Sequence, residues 1–288
     1  RSLYTRMRQK SVDLRKIVST HLERSSKKLD LQLKQLKDTE KRDKFKVYGE
    51  LLNTYGYQVT EGAKSVEVPN YYTGEMLTIP LDETLSPLDN AKKYFARYNK
   101  LKRTFEALNT QTEETKTEIA HLQTIQASLA IAESEDDLAQ IRDELETYGY
   151  IRRKMNGKKK QKSKSKPFHY RSSDGFDIYV GKNNFQNDEL TFKVANGNDW
   201  WFHAKGMPGS HVIVKTEGRE LPDRTFEEAG RLAGYYSSGR DNEKIEIDYL
   251  QRKNVKKPNG AVAGYVIYYT NYSLTIHPDI SGIEKISE

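Results

Sequence analysis

Between residues 86 and 132 the chain repeats apolar and small positions at steps of four and three. Tyr94, Tyr98, Leu101, Phe105, Leu108, Thr112, Thr115, Ile119, Leu122, Gln126 and Leu129 mark the seam. That spacing puts one stripe along one helix face, as in a coiled coil. Ser86-Pro87 supplies an N-cap and a proline for the first helical position. Residues 2–55 carry a second helical stripe of Leu14, Val18, Leu22, Leu29, Leu33 and Leu36, with Gly56 placed as a C′ glycine. Between the helices, residues 57–85 switch to alternation. Ser65-Val66-Glu67-Val68 and Glu75-Met76-Leu77-Thr78-Ile79 read as strands around Tyr71-Tyr72-Thr73-Gly74. The simplest arrangement is an antiparallel two-helix hairpin tipped by a small β module; an intermolecular coiled coil is the alternative. From periodicity alone, the tip is either a device for reaching a distant contact or a cap that joins two helices.

Ser134 is placed to cap a short helix running to Tyr148 and stopped by Gly149. From residue 167 onward, strands dominate. Phe168–Ser172 and Phe176–Val180 form a hairpin around Ser173-Asp174-Gly175. Trp200–Ala204, His211–Lys215, Ile245–Tyr249 and Tyr265–Tyr269 are further strands, with Leu274–Ile276 pairing to the last across Asn271. Asn187 is expected to cap a helix over 188–195, and Asp223 one over 224–236. The class is α+β: a long antiparallel two-helix coiled-coil arm with a small β tip, followed by a mixed α+β globular domain. The divisions are 1–133 for the arm, with its insertion at about 57–85, 134–166 for a short helix and basic linker, and 167–288 for the globular domain.

Charge sharpens this picture. The chain has 288 residues, a net charge of +7 and 31% charged against 35% hydrophobic residues. With a mean hydropathy of −0.87, it is too polar for one compact core of that length. The first fifty residues are strongly basic and residues 101–150 strongly acidic, which fits pairing of the two helices. Residues 151–166 are densely basic, with no acidic residue. Cysteine is absent, which excludes disulfides, thiol catalysis and thiolate metal sites and fits a reducing, cytoplasmic setting. No apolar run reaches membrane-spanning length, so no membrane contact is expected. The chain starts at Arg1 inside a helical pattern, so a fragment of a longer protein is expected.

Candidate chemistry falls in three places. The basic run holds Arg152, Arg153, Lys154, Lys158, Lys159 and Lys160. Such a run is either a tether that aids solubility or a polyanion contact driven by counterion release. Around Trp200-Trp201, the neighbours His203, Lys205 and His211 accompany two aromatics on opposite faces of a strand. One tryptophan fills a core; an exposed aromatic here is a platform for stacking a base. Arg252, Lys253, Lys256 and Lys257 form a second basic cluster, read as an RNA-backbone contact or as lysines guarding a sheet edge. There is no P-loop, nucleophile elbow, zinc-protease motif or EF-hand. An enzyme using Asp199, His203 and His211 is a minor reading. No catalytic residue, metal or cofactor is expected.

The carboxy-terminal part resembles the NFACT-R domain. The resemblance rests on Ser173-Asp174-Gly175-Phe176, Val180-Gly181-Lys182-Asn183-Asn184, Asn187-Asp188-Glu189-Leu190-Thr191, Asp199-Trp200-Trp201-Phe202-His203, Pro208-Gly209-Ser210-His211-Val212 and Val255-Lys256-Lys257-Pro258. The preceding arm is similar to the middle coiled coil of the same proteins, the RqcH and NEMF family, whose Gram-positive members of the PavA and FbpA types were described as fibronectin-binding. The resemblance implies a non-enzymatic factor of ribosome quality control. It implies binding to an obstructed large ribosomal subunit, through rRNA and the stalk base, and to peptidyl-tRNA and alanyl-tRNA during alanine tailing of stalled chains. For this half it implies RNA and ribosome binding; a fibronectin-binding surface adhesin is the alternative. Lys182 stands where the family has arginine, which keeps the charge and loses the planar fork, and Leu250 stands where threonine is frequent. The family's amino-terminal and helix-hairpin-helix regions, linked to tRNA selection and tailing, are expected to lie outside this fragment.

Overall fold

A computed structural model describes residues 2–153 and 163–286. The chain divides into two compact units: residues 25–118, and residues 1–24 together with 119–288. Helix α1 (Leu3–Asp38) and helix α3 (Pro87–Ile131) contribute to both. No described helix is long and apolar enough to cross a membrane.

In the 25–118 unit, a 3-10 turn at Thr39–Lys41 joins α1 to α2 (Arg42–Tyr55). The pairing with α3 is antiparallel: Lys28 and Gln32 border the same cavity as Gln111, Thr115 and Glu118, the Arg42 guanidinium lies 4.2 Å over Phe105, and Phe45 stacks on Tyr94. Strands β1 (Ser65–Pro69) and β2 (Met76–Pro80) pair antiparallel, Val68 opposite Leu77. Their inner faces close a core of Tyr48, Leu51, Leu52, Val68, Ile79, Ala91 and Tyr94. Leu51 and Ile79 are fully buried, each contributing roughly 2 kcal/mol. Ser86 caps α3 by accepting from the Asp89 N–H at 3.1 Å.

The seam departs from the expected stripe in its polar middle. Leu33 is exposed, while Ser25 and Gln32 of α1, Thr39 of the following turn, and Thr112 and Thr115 of α3 are buried. Ser25, Gln32 and Thr39 recur at seven-residue steps, and Leu33 falls one position off that stripe. Gln126 is exposed and Ile125 buried instead, because a third helix covers α3 there. Gly56 is not a left-handed C′ glycine: its φ is −57 and it opens a 3-10 turn. A Cβ on it would sit 3.2 Å from that of Pro87, so close approach is its role.

In the other unit, α4 (Glu135–Thr147) is capped by Ser134, whose hydroxyl accepts from the Asp137 N–H. Gly149 follows at φ +80. Leu138, Ile141 and Leu145 bury with Leu14 and Val18 of α1 and Ile125 and Leu129 of α3. The sheet has seven strands in the order β8-β7-β5-β6-β4-β3-β9, all neighbours antiparallel. They are β3 (Phe168–Arg171), β4 (Asp177–Val180), β5 (Trp200–Ala204), β6 (Val212–Val214), β7 (Ile245–Gln251), β8 (Tyr272–Ile276) and β9 (Glu284–Lys285). Helix α6 (Asp223–Tyr235) covers one face through Ala229, Leu232 and Ala233. The other face carries Trp201, Ile213 and Leu250 under Leu190, Ala195 and Val255.

Four local expectations are corrected. The helix expected from Asn187 begins earlier, as α5 (Asn184–Glu189) capped by Asn183, and ends in a π turn at Leu190–Val194. Asn187 instead accepts from the His211 N–H. Asp223 is the first helical residue of α6, after a Pro222 that offers no side-chain cap. Residues 265–269 are not a strand; their one ladder-like backbone contact is an isolated bridge between Lys256 and Ile267. Strand β8 therefore pairs with β7, Leu274 opposite Ile247. This segment carries alternation because it lies over the Trp201 face of the sheet, with Val266 and Tyr268 packed there.

Candidate nucleic-acid interface

Strand β5 sends its two tryptophans to opposite faces, and both faces are covered. Trp201 is buried between His203, His211 and Tyr268, at ring distances of 5.6, 5.1 and 5.3 Å. It is therefore no open stacking platform. Trp200 is half-buried against Phe226 and Tyr249. The exposed tyrosines of the domain are Tyr265, Tyr269 and Tyr272. The sequence pattern did not single them out, since exposure of a tyrosine leaves no periodic mark.

The histidines are structural in their geometry. His211 joins Thr191 through Nδ1 at 2.8 Å and the Gly264 carbonyl through Nε2 at 3.1 Å. Burial, then the neighbouring His203 and Lys257, push its pKa down to about 3, so it is neutral at pH 7. Burial also holds His203, which is only half-buried by its surface, below the usual histidine range. Asp199 binds Lys215 Nζ at 2.7 Å and the backbone N–H groups of Thr216 and Asn196. Burial works to raise its carboxyl, but these partners outweigh it and hold the carboxyl below its ordinary value. With those partners, Asp199 orients a turn, and no relay links it to His203 or His211. Among the described residues, no group of three or more His, Asp or Glu is placed to hold a metal.

The candidate cations separate into committed and open ones. Lys257 donates to Asp188 at 3.2 Å and to the carbonyls of Val262 and Tyr265. Arg252 donates to the Thr191 carbonyl and lies over Phe192. Lys205 pairs with Glu246, and Lys256 reaches the Lys253 carbonyl. Lys182 is 13% exposed, 3.2 Å from Asp137 and 4.7 Å over the Phe168 ring. Arg152, Arg153 and Lys253 are exposed. Lys154, Lys158, Lys159 and Lys160 lie outside the described residues. The basic run is anchored at both edges on α4. Tyr150 and Ile151 donate their N–H groups to the Leu145 carbonyl, and Ser163 donates to the Asp136 carbonyl.

A polar joint that sequence reasoning missed binds α5 to α3 and α4. Asn183 Nδ2 and Gln186 Nε2 both donate to Gln140 Oε1, at 2.7 and 2.8 Å. Asn184 Nδ2 donates at 2.8 Å to both Glu144 Oε2 and Thr124 Oγ1. His121 Nε2 lies 3.0 Å from the same Glu144 oxygen. The other oxygen of this fully buried carboxylate, Oε1, has no hydrogen-bond partner. The signal was present as the Lys182-Asn183-Asn184 block, but its partners lie some forty residues away.

The pattern of the NFACT N-terminal and middle domains matches residues 2–164, and that of the NFACT protein RNA binding domain matches residues 166–268. The chain is 40% identical over 282 residues to the Rqc2 homolog RqcH of Streptococcus suis, covering 98% of this chain and 50% of that protein. It is 36% identical over 287 residues to the Rqc2 homolog RqcH of Bacillus subtilis, again covering 98% of this chain and 50% of that protein. The chain thus spans about half the length of these relatives. Among solved structures, the C-terminal part of the fibronectin/fibrinogen-binding protein from Streptococcus suis superposes with a TM-score of 0.76 at 33% identity, covering 98% of this chain and 100% of that one.

Proposed function

The chain belongs to the NFACT family of Rqc2 homologues, and we propose that it is the RNA- and ribosome-binding half of a ribosome quality-control factor. The observation that carries this reading is the RNA-binding domain preceded by a run of arginines and lysines without one acidic residue. Phosphate contacts need open cations, and Arg152 and Arg153 are open at the head of that run. In the complete protein we place this half on an obstructed large ribosomal subunit carrying peptidyl-tRNA. There it supports recruitment of alanyl-tRNA and alanine tailing by binding rather than by catalysis, in the cytoplasm. The β tip has different chemistry. Residues 57–85 carry Glu61, Glu67, Glu75, Asp82 and Glu83 against Lys64 alone, with Lys93 of α3 paired to Asp82 and with Tyr57, Tyr71, Tyr72 and Met76 exposed. An acidic, aromatic surface repels phosphate and suits a basic protein surface, so at the stalk base we assign it to protein rather than to rRNA.

Co-sedimentation of the chain with purified large subunits, at low and moderate salt, tests this. Binding that falls with salt and weakens when residues 152–166 are removed supports it; no binding at any salt refutes it for this half. A second reading, fibronectin binding, is favoured by the name of the superposing Streptococcus suis protein. Fibronectin affinity that survives high salt and nuclease would carry that reading.

A further inference from the structure

The joint between the sheet and the helices runs in one chemical direction. On the sheet side, Lys182 Nζ, Asn183 Nδ2, Asn184 Nδ2 and Gln186 Nε2 all donate. On the helix side, Asp137 Oδ1, Gln140 Oε1, Glu144 Oε2 and Thr124 Oγ1 all accept. A fifth donor group repeats the pattern, with the Ala263 N–H donating to Tyr148 Oη at 2.8 Å. Few apolar groups cross here; Ile131 of α3 packs on the sheet core. Polar joints of this kind open more readily than hydrophobic ones. The helix side also bears a cost, since Glu144 is buried with one oxygen unpaired.

A face that presents donors across the joint, one of them an ammonium, while the amide oxygens of Asn183 and Gln186 accept from their own segment's backbone, is complementary to a chain that offers acceptors. The phosphodiester backbone is such a chain, offering anionic oxygens and no donor. We propose that the Lys182–Gln186 face is a phosphodiester-binding site, and that acidic α4 holds it shut by presenting Asp137 and Glu144 where phosphates would sit. The inference rests on the RNA-binding reading and adds to it a site and a regulation. RNA and α4 compete for the same donors, so the closed joint lowers apparent RNA affinity by the fraction of molecules in which it is closed.

The test titrates a short fluorescein-labelled single-stranded RNA against the whole chain at moderate salt, with hydrogen exchange of α4 and α5 measured in parallel. Gln140→Ala removes the acceptor of two donors and leaves no buried charge; Asp137→Ala is a second opening variant. Each is expected to tighten RNA binding at least about fivefold, in the range of ordinary allosteric coupling. Adding Lys182→Ala is expected to cancel the gain. Saturating RNA is expected to speed exchange in α4 of the unmodified chain. Unchanged or weaker affinity in a variant whose exchange shows an open joint overturns the proposal and leaves RNA binding at the basic run intact. RNA binding absent from the unmodified and opened chains alike overturns the RNA-binding reading and, with it, this site.

Discussion

A Cβ atom placed on Gly264 would lie 2.2 Å from Oδ1 of Asn184, and Gly264 adopts φ +84. The same glycine donates its N–H to Asp188 and offers its carbonyl to His211. One residue thus sits under the polar joint and over the buried histidine. Gly264→Ala is expected to combine a left-handed penalty of about 1 kcal/mol with overlap costing a further ~1–3 kcal/mol. Gly260→Ala, at φ +74 with open space around it, carries only the first cost. Thermal unfolding of the two variants should separate them by several degrees.

His211 makes the sheet domain sensitive to acid. Its pKa falls from 6.5 to about 3 on folding. The unfolded chain therefore binds the proton first, and stability is present above pH 6.5 and is lost as pH falls towards 3. At pH 5 the loss attributable to this group is about 2 kcal/mol. Denaturant unfolding at pH 7 and pH 5, with His211→Gln as the control, is expected to show a smaller pH difference in the variant.

The polar middle of the seam trades stability away. Gln32 and Thr112 each bury an oxygen that has no hydrogen-bond partner. Gln32→Leu combined with Thr112→Val is expected to stabilise the 25–118 unit by about 1 kcal/mol or more, because an unpaired buried polar atom costs that much. Leu108→Ala, in the same stretch, is expected to destabilise it by roughly 2–4 kcal/mol. Hydrogen exchange across α1 and α3 reads both changes.

Open and committed cations should answer differently to neutralisation. Arg152→Gln with Arg153→Gln is expected to weaken RNA binding and to flatten its dependence on salt by up to about two units of slope. Lys257→Met breaks the pair with Asp188 and the two carbonyl contacts. It is expected to lower the melting temperature with little change in salt slope. A steep loss of slope for Lys257→Met alone would reverse this assignment.

Local pattern determined much of this protein. The heptad of α3, the Ser86-Pro87 start, the Ser134 cap, the stop at Gly149 and the two hairpins were all legible, because each depends on residues within a few positions of one another. The family blocks from Ser173 to Pro258 were legible as motifs for the same reason. What the tertiary structure decided were the partners across long separations. Lys182 meets Asp137, Asn184 meets Glu144, and β8 joins β7 rather than the 265–269 segment. Burial of Trp201, the shift of the seam from Gln126 to Ile125, and the commitment of Lys257 to Asp188 were decided in the same way. Periodicity states which face of an element is apolar, but not which element covers it. A lysine has the same letter whether its ammonium meets solvent, a phosphate or a buried carboxylate. Only packing, which sets the local dielectric and brings distant donors and acceptors within 3 Å, separates those states.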